Sequence, residues 1–236
     1  ALYHDAAFPL VLTSATEGAE IRYTLDGSAP GPDSTLYMGP INISSNAVVR
    51  AAAYCDGLLQ SDSVAMTYLF EQPHTVPVVC ISISPSAFSE VYAATIKKER
   101  VERQGVFSFY EDGALGVSFP CGFRASGAST LTAAQKSLAV LLRSGYGVAE
   151  TNYPFFANSD VSAYQSLVLR NSGQDRTAAR IRDSFFTKAV KGLNIEQVET
   201  RLTVVYVNGT YWGIYDLNEN QNEDYLASHY GVDPDA

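Results

Sequence analysis

Residues 7–70 read as short strands punctuated by turns, and this pattern restricts the segment to an all-β architecture. Phe8, Leu10 and Leu12 alternate with other residues, as do Ile21, Tyr23 and Leu25, which run into the turn Asp26-Gly27-Ser28. Ile41 and Ile43 alternate again, and Val48 to Tyr54 is continuously apolar apart from Arg50. Asp56-Gly57 supplies another turn before a last strand from Val64 to Phe70. A module of this size buries a small core, so it is expected to be marginal unless it docks on its neighbour.

The pattern changes after the linker-like Glu71-Gln72-Pro73-His74, and Val76-Pro77-Val78-Val79 opens a strand. Val106–Tyr110 and Val117–Phe123 flank Asp112-Gly113, a hairpin signal. Strands are expected at Ser137–Arg143 and Ser166–Arg170. The spacing of Ala178, Ile181, Phe185, Phe186 and Ala189 predicts a helix over Thr177–Val190. Asn208-Gly209 is the strongest hairpin signal of the chain, between Thr200–Val207 and Tyr211–Leu217, and Asn222–Tyr230 reads as a closing helix. The expected fold class is α+β, an Ig-like β-sandwich over residues 1–72 followed by a mixed α/β region over 73–236.

Charge narrows the partners. The net charge is −9, and residues 1–72 hold eight acids against two bases. Neither region has the basic balance that binds nucleic acid through its phosphates, and no window is long and apolar enough to span a membrane. Cys55, Cys80 and Cys121 lie far apart without a Cys-x-x-Cys pair, which argues against structural zinc; Cys55 and Cys80 sit in apolar runs as small core residues. His4, His74 and His229 have no metal-ligand spacing, and neither Gly-x-Ser-x-Gly nor a Walker-A loop occurs.

Two stretches resemble known families. Ile21-Arg22-Tyr23-Thr24-Leu25-Asp26-Gly27-Ser28-Ala29-Pro30, continued by Leu36-Tyr37-Met38-Gly39-Pro40-Ile41, resembles the chitobiase/β-hexosaminidase C-terminal type of Ig-like module. That resemblance implies a secreted or cell-surface protein. Its module is either a spacer packed on the next domain or a glycan contact through Tyr23, Tyr37 or Tyr54. From residue 76 onward, an ordered series resembles the spore-coat protein H (CotH) kinase family. The series includes Glu102–Gly113, Gly122–Ser129, Gln135-Lys136-Ser137-Leu138, Leu169-Arg170-Asn171-Ser172-Gly173 and Ile181-Arg182-Asp183. It closes with Asn208-Gly209-Thr210-Tyr211-Trp212-Gly213-Ile214-Tyr215, with Glu219 just beyond.

This second resemblance implies the N-terminal part of an atypical protein-kinase-like fold, with ATP and Mg²⁺ or Mn²⁺ as cofactors and Ser-rich protein substrates. Within it, the Gly122–Ser129 loop, with Arg124, Ser126 and Gly127, would approach the phosphates, and Lys136 would offset charge on the α/β-phosphates. Asp183 or Glu219 would hold that lysine, and Arg182 would pair with either acid. The family's Asp-Asn segment and its Pro-Trp-Asp-x-Asp-like metal segment have no counterpart before Ala236, so no catalytic or metal residue is assigned. The Pro234-Asp235-Ala236 end reads as that of a fragment, or of a catalytically silent form. The expected function is therefore a portion of a kinase acting on Ser/Thr, inactive by itself. The alternative is a noncatalytic surface or carbohydrate-associated binding protein.

Overall fold

The computed structural model describes residues 1–157, 159–193 and 195–233; of the expected terminal run, Pro234, Asp235 and Ala236 lie outside these. The described residues are mainly β-sheet with a few short helices. They fall into two compact units. The first joins residues 1–88 to residues 105–118 and 205–212, and the second contains the rest.

Six strands open the first unit: β1 (Phe8–Leu10), β2 (Glu20–Thr24), β3 (Thr35–Leu36), β4 (Ile41–Ile43), β5 (Ala47–Tyr54) and β6 (Val64–Tyr68). They make an antiparallel sheet in the order β3-β2-β5-β6 and a separate antiparallel pair, β1 with β4. Ile43, Val49 and Tyr68 are buried between them, with Phe8, Leu10, Tyr23, Met66 and Phe70 packed around. That is the sandwich arrangement with a small core. Arg50, the one charge in the apolar β5 run, is buried; its guanidinium donates to the Gly27 carbonyl at 3.1 Å and to Ser63 Oγ at 2.8 Å.

The same unit contains β7 (Val78–Ile83), antiparallel to β8 (Glu102–Glu111), and the tip of the hairpin between β14 (Thr200–Val207) and β15 (Thr210–Glu219). Every residue of β7 is buried. Asn208 and Gly209 have φ of 51° and 78°, the positive pair that a two-residue hairpin of this hand requires. Asn208 also ties the hairpin to β7. Its backbone N–H donates to the Ile81 carbonyl at 2.8 Å. Its side-chain amide donates to the Ile83 carbonyl at 2.7 Å and accepts from the Ile83 N–H at 3.0 Å. Gly27 lies against that amide, because an added Cβ would overlap Asn208 Oδ1. The Asp26-Gly27 turn and the Asn208-Gly209 turn, remote in sequence, are thus in contact within one unit.

In the second unit the far end of β9 (Ala114–Ser126) pairs with β10 (Ser137–Leu141), β10 with β13 (Ser166–Arg170), and β13 with β15. Short strands β11 (Thr151–Asn152) and β12 (Ala163–Tyr164) pair with each other. Helix α1 (Pro85–Ala93) follows β7, α2 (Arg182–Ala189) precedes β14, and α3 (Glu223–Tyr230) follows β15. Asn222 caps α3 by accepting the Tyr225 N–H at 3.2 Å.

Two expectations change. The helix expected over Thr177–Val190 starts only at Arg182, because Arg180 has φ of 63° and the Asp175 side chain accepts the Arg182 N–H at 3.1 Å. Its apolar residues Ile181, Phe185 and Phe186 are exposed rather than core-facing. The expected Gly/Ser loop at 122–129 is strand as far as Ser126, so those backbone groups are committed to the ladder with β10. Among the cysteines, Cys80 and Cys121 are buried and Cys55 is partly exposed; none is in a disulfide.

Candidate functional site: a polar sheet face

Register gives the second unit's sheet two unlike faces, since directly paired residues of antiparallel strands share a side. On one side Phe123 pairs with Val140, Val140 with Leu167, Leu138 with Leu169 and Leu169 with Leu217, and all are buried. On the other side Arg124 pairs with Ala139, Ser126 with Ser137, Val168 with Asn218 and Arg170 with Asp216. The second face is polar and carries Arg124, Ser126, Arg170, Asp216 and Asn218.

Residues 171–182 and α2 supply the charged groups beside this face. Arg170 Nε donates to Asp183 Oδ2 at 2.7 Å, in the first turn of α2. Asn171 is fully buried; it accepts from Ser137 Oγ at 2.9 Å and donates to the Gln135 carbonyl at 2.6 Å. Arg180 donates to Gln135 Oε1 at 2.7 Å and to the Ile214 carbonyl at 3.1 Å. Ser172 and Arg180 hold left-handed φ of 64° and 63°, conformations that persist only where surrounding bonds fix them. Residues 170–191 carry six bases and two acids, in a chain whose net charge is −9.

Asp216 stands out on this face. It is 3% exposed, and its Oδ1 has no hydrogen-bond partner. Burial pushes its carboxyl up to about 6; the neighbouring Asp183 adds to the rise, and Arg170, Arg180 and Lys188 oppose it. A buried, perturbed carboxyl beside a cleft is a pattern associated with functional sites.

The residues singled out by sequence fall in different places. Arg124 and Ser126 lie on the polar face. Ser126, Asp183 and Glu219 line one cleft of about 580 Å³ together with Arg170, Phe186 and Asn218. Gly127, with φ of 105°, makes the turn that leaves β9 and packs on Thr130. Lys136 has the parity of Leu138 and belongs to the apolar side. It is 7% exposed, and its ammonium donates to the carbonyls of Leu131 and, at 2.9 Å, of Ala94. The Lys136 carbonyl accepts from the Tyr215 hydroxyl at 3.0 Å, which fixes that side further. The Lys136 ammonium is thus held by carbonyls and not by Asp183 or Glu219. Asp183 holds Arg170. Glu219 accepts the Glu199 N–H at 2.8 Å and lies 2.9 Å from His229 Nε2. Arg182 pairs with Asp175 at 3.3 Å rather than with Asp183 or Glu219.

Arg170, Asp216, Asn218 and Phe186 were not assigned from sequence. The signal was present in the alternation Asp216, Asn218, Asn220 against Tyr215, Leu217, Glu219, a two-residue period with one polar side. In the N-terminal module Tyr23 packs into the core, and the Tyr54 hydroxyl donates to the Pro30 carbonyl at 2.9 Å. Among the described residues no group of three or more His, Cys, Asp or Glu is placed to hold a metal. No helix among them is long and apolar enough to cross a membrane.

Two family models match the chain: "CotH kinase protein" over residues 123–236 and "Fn3 associated" over residues 10–68. No curated protein matches it.

Proposed function

We propose, from the membership of residues 123–236 in the CotH kinase family, that this chain supplies the nucleotide-binding sheet of an atypical protein kinase. The reaction would move the γ-phosphoryl group of ATP to a Ser or Thr of a protein substrate. The observation that carries the reading is that the matched region, starting at Phe123, holds every residue of the polar face, Arg124 to Asn218. Phosphoryl transfer relies on positioning and on stabilising phosphate charge rather than on covalent chemistry by the protein. Arg124 and Arg170 are suited to phosphate oxygens, because guanidinium presents paired donors to them. The Ser126 hydroxyl adds a neutral donor.

The donor set fits phosphate better than a resident metal. The face offers the carboxylates Asp183 and Asp216, but Arg170 is paired with the first, and Arg170, Arg180 and Lys188 act on the second. A divalent ion would therefore arrive with the nucleotide's phosphates. The Fn3-associated module at 10–68 supports placement of the protein outside the cell or on its surface.

A second reading, noncatalytic binding, is favoured by one observation. The Lys136 ammonium is engaged by buried carbonyls on the side away from Arg124 and Arg170. Calorimetric titration with ATP, with and without Mg²⁺ or Mn²⁺, separates the two readings. Nucleotide-site function predicts binding that weakens about tenfold in Arg124→Gln, the worth of one charged hydrogen bond. No binding at millimolar ATP under any of these conditions would leave the noncatalytic reading.

A further inference from the structure

We propose that the cleft beside α2 receives the purine base of the nucleotide, with Phe186 as its stacking surface. This rests on the nucleotide reading above and adds the place and the residue. The cleft, about 580 Å³, has the size of a small-molecule site. Val168, Val198 and Phe186 are apolar, Asn218 and Gln221 carry side-chain amides, and the charged lining residues are Arg170, Asp183 and Glu219. A purine has two needs, an apolar face and a hydrogen-bonding edge.

Phe186 has no other evident task. Helix α2 buries none of its residues, and the Phe186 ring is 59% exposed. Phe185 is equally exposed and touches Phe186 edge-on at a centroid distance of 5.6 Å, yet only Phe186 lines the cleft. The amide of Asn218 is oriented by the Thr200 hydroxyl at 2.8 Å. Arg170, paired with Asp183, and Ser126 line the same cleft and are available to the phosphates of a nucleotide whose base sits there. An aromatic platform, amide donors and acceptors, and a cation are therefore gathered in one opening.

The test compares ATP with inorganic tripolyphosphate, which has the phosphates and no base, by calorimetry on the whole chain. Wild type is compared with Phe186→Leu and Phe185→Leu, and unchanged urea midpoints establish that both variants fold. Stacking on Phe186 predicts that Phe186→Leu weakens ATP about 5- to 100-fold, the worth of one base–aromatic stack. Tripolyphosphate affinity should be unchanged in that variant, and Phe185→Leu should bind both ligands as wild type does. Wild-type ATP binding that Phe186→Leu leaves intact would overturn the base site while the nucleotide reading stands. Failure of wild type to bind either compound would overturn both.

Discussion

Gly27→Ala is expected to destabilise the first unit by about 3 kcal/mol, combining a left-handed backbone penalty with lost hydrogen bonds. Gly27 has φ of 86°, and a Cβ there would lie 2.8 Å from the Ile83 carbonyl oxygen and overlap Asn208 Oδ1. Relieving the overlap moves the Asn208 amide, which makes both side-chain bonds to Ile83. Gly57→Ala is the control, since Gly57 has a similar φ of 77° with nothing within 4 Å of the added carbon. It should cost only about 1 kcal/mol, the backbone part alone. Urea denaturation of the two variants measures the difference. Equal losses would mean that the contact between the two turns contributes nothing.

Asp216→Asn is expected to change the pH dependence of stability. The folded carboxyl titrates near 6, against an ordinary aspartate value of 3.8. The folded state therefore holds the proton more tightly than the unfolded chain. The resulting stability is fully present below the unfolded value and is lost as pH rises through the folded one. The loss amounts to about 2 kcal/mol between pH 4 and 7. Asn cannot ionise, so the variant should gain about that much relative to wild type over this interval. Urea midpoints at pH 4, 5, 6 and 7 check it. Parallel curves for the two proteins would show that Asp216 is not held in a medium that disfavours its charge.

Much of the architecture was legible because local chemistry and long-range structure agree. Asn208-Gly209 and Asp112-Gly113 form the hairpins that their positive-φ residues require, and Ser166–Arg170 is a strand with the bounds expected. Asn222–Tyr230 gave a helix, with Asn222 as its cap. The failures have identifiable causes. Helix α1 was not anticipated, although Pro85 at its first position and the spacing of Phe88 and Val91 are helical cues. Thr177–Val190 has apolar spacing that suggests a buried face, but burial is a tertiary property, and Phe185 and Phe186 face outward. Lys136 takes the apolar side of its sheet, a placement that its neighbours in sequence do not announce. Which side of a sheet a residue takes depends on register, and a one-residue offset reverses it. The same register assembles Arg124, Arg170 and Asp216 from three strands, a grouping that linear spacing does not contain.

A nucleotide site on the polar face of the second unit would be seen in hydrogen exchange of the whole chain with and without ATP·Mg²⁺. Exchange should slow in α2, in residues 171–181 and in the part of β15 that carries Asp216 and Asn218, with β2 to β6 unaffected. Unchanged exchange in those segments at an ATP concentration that saturates binding, or protection confined to the N-terminal strands, would contradict it.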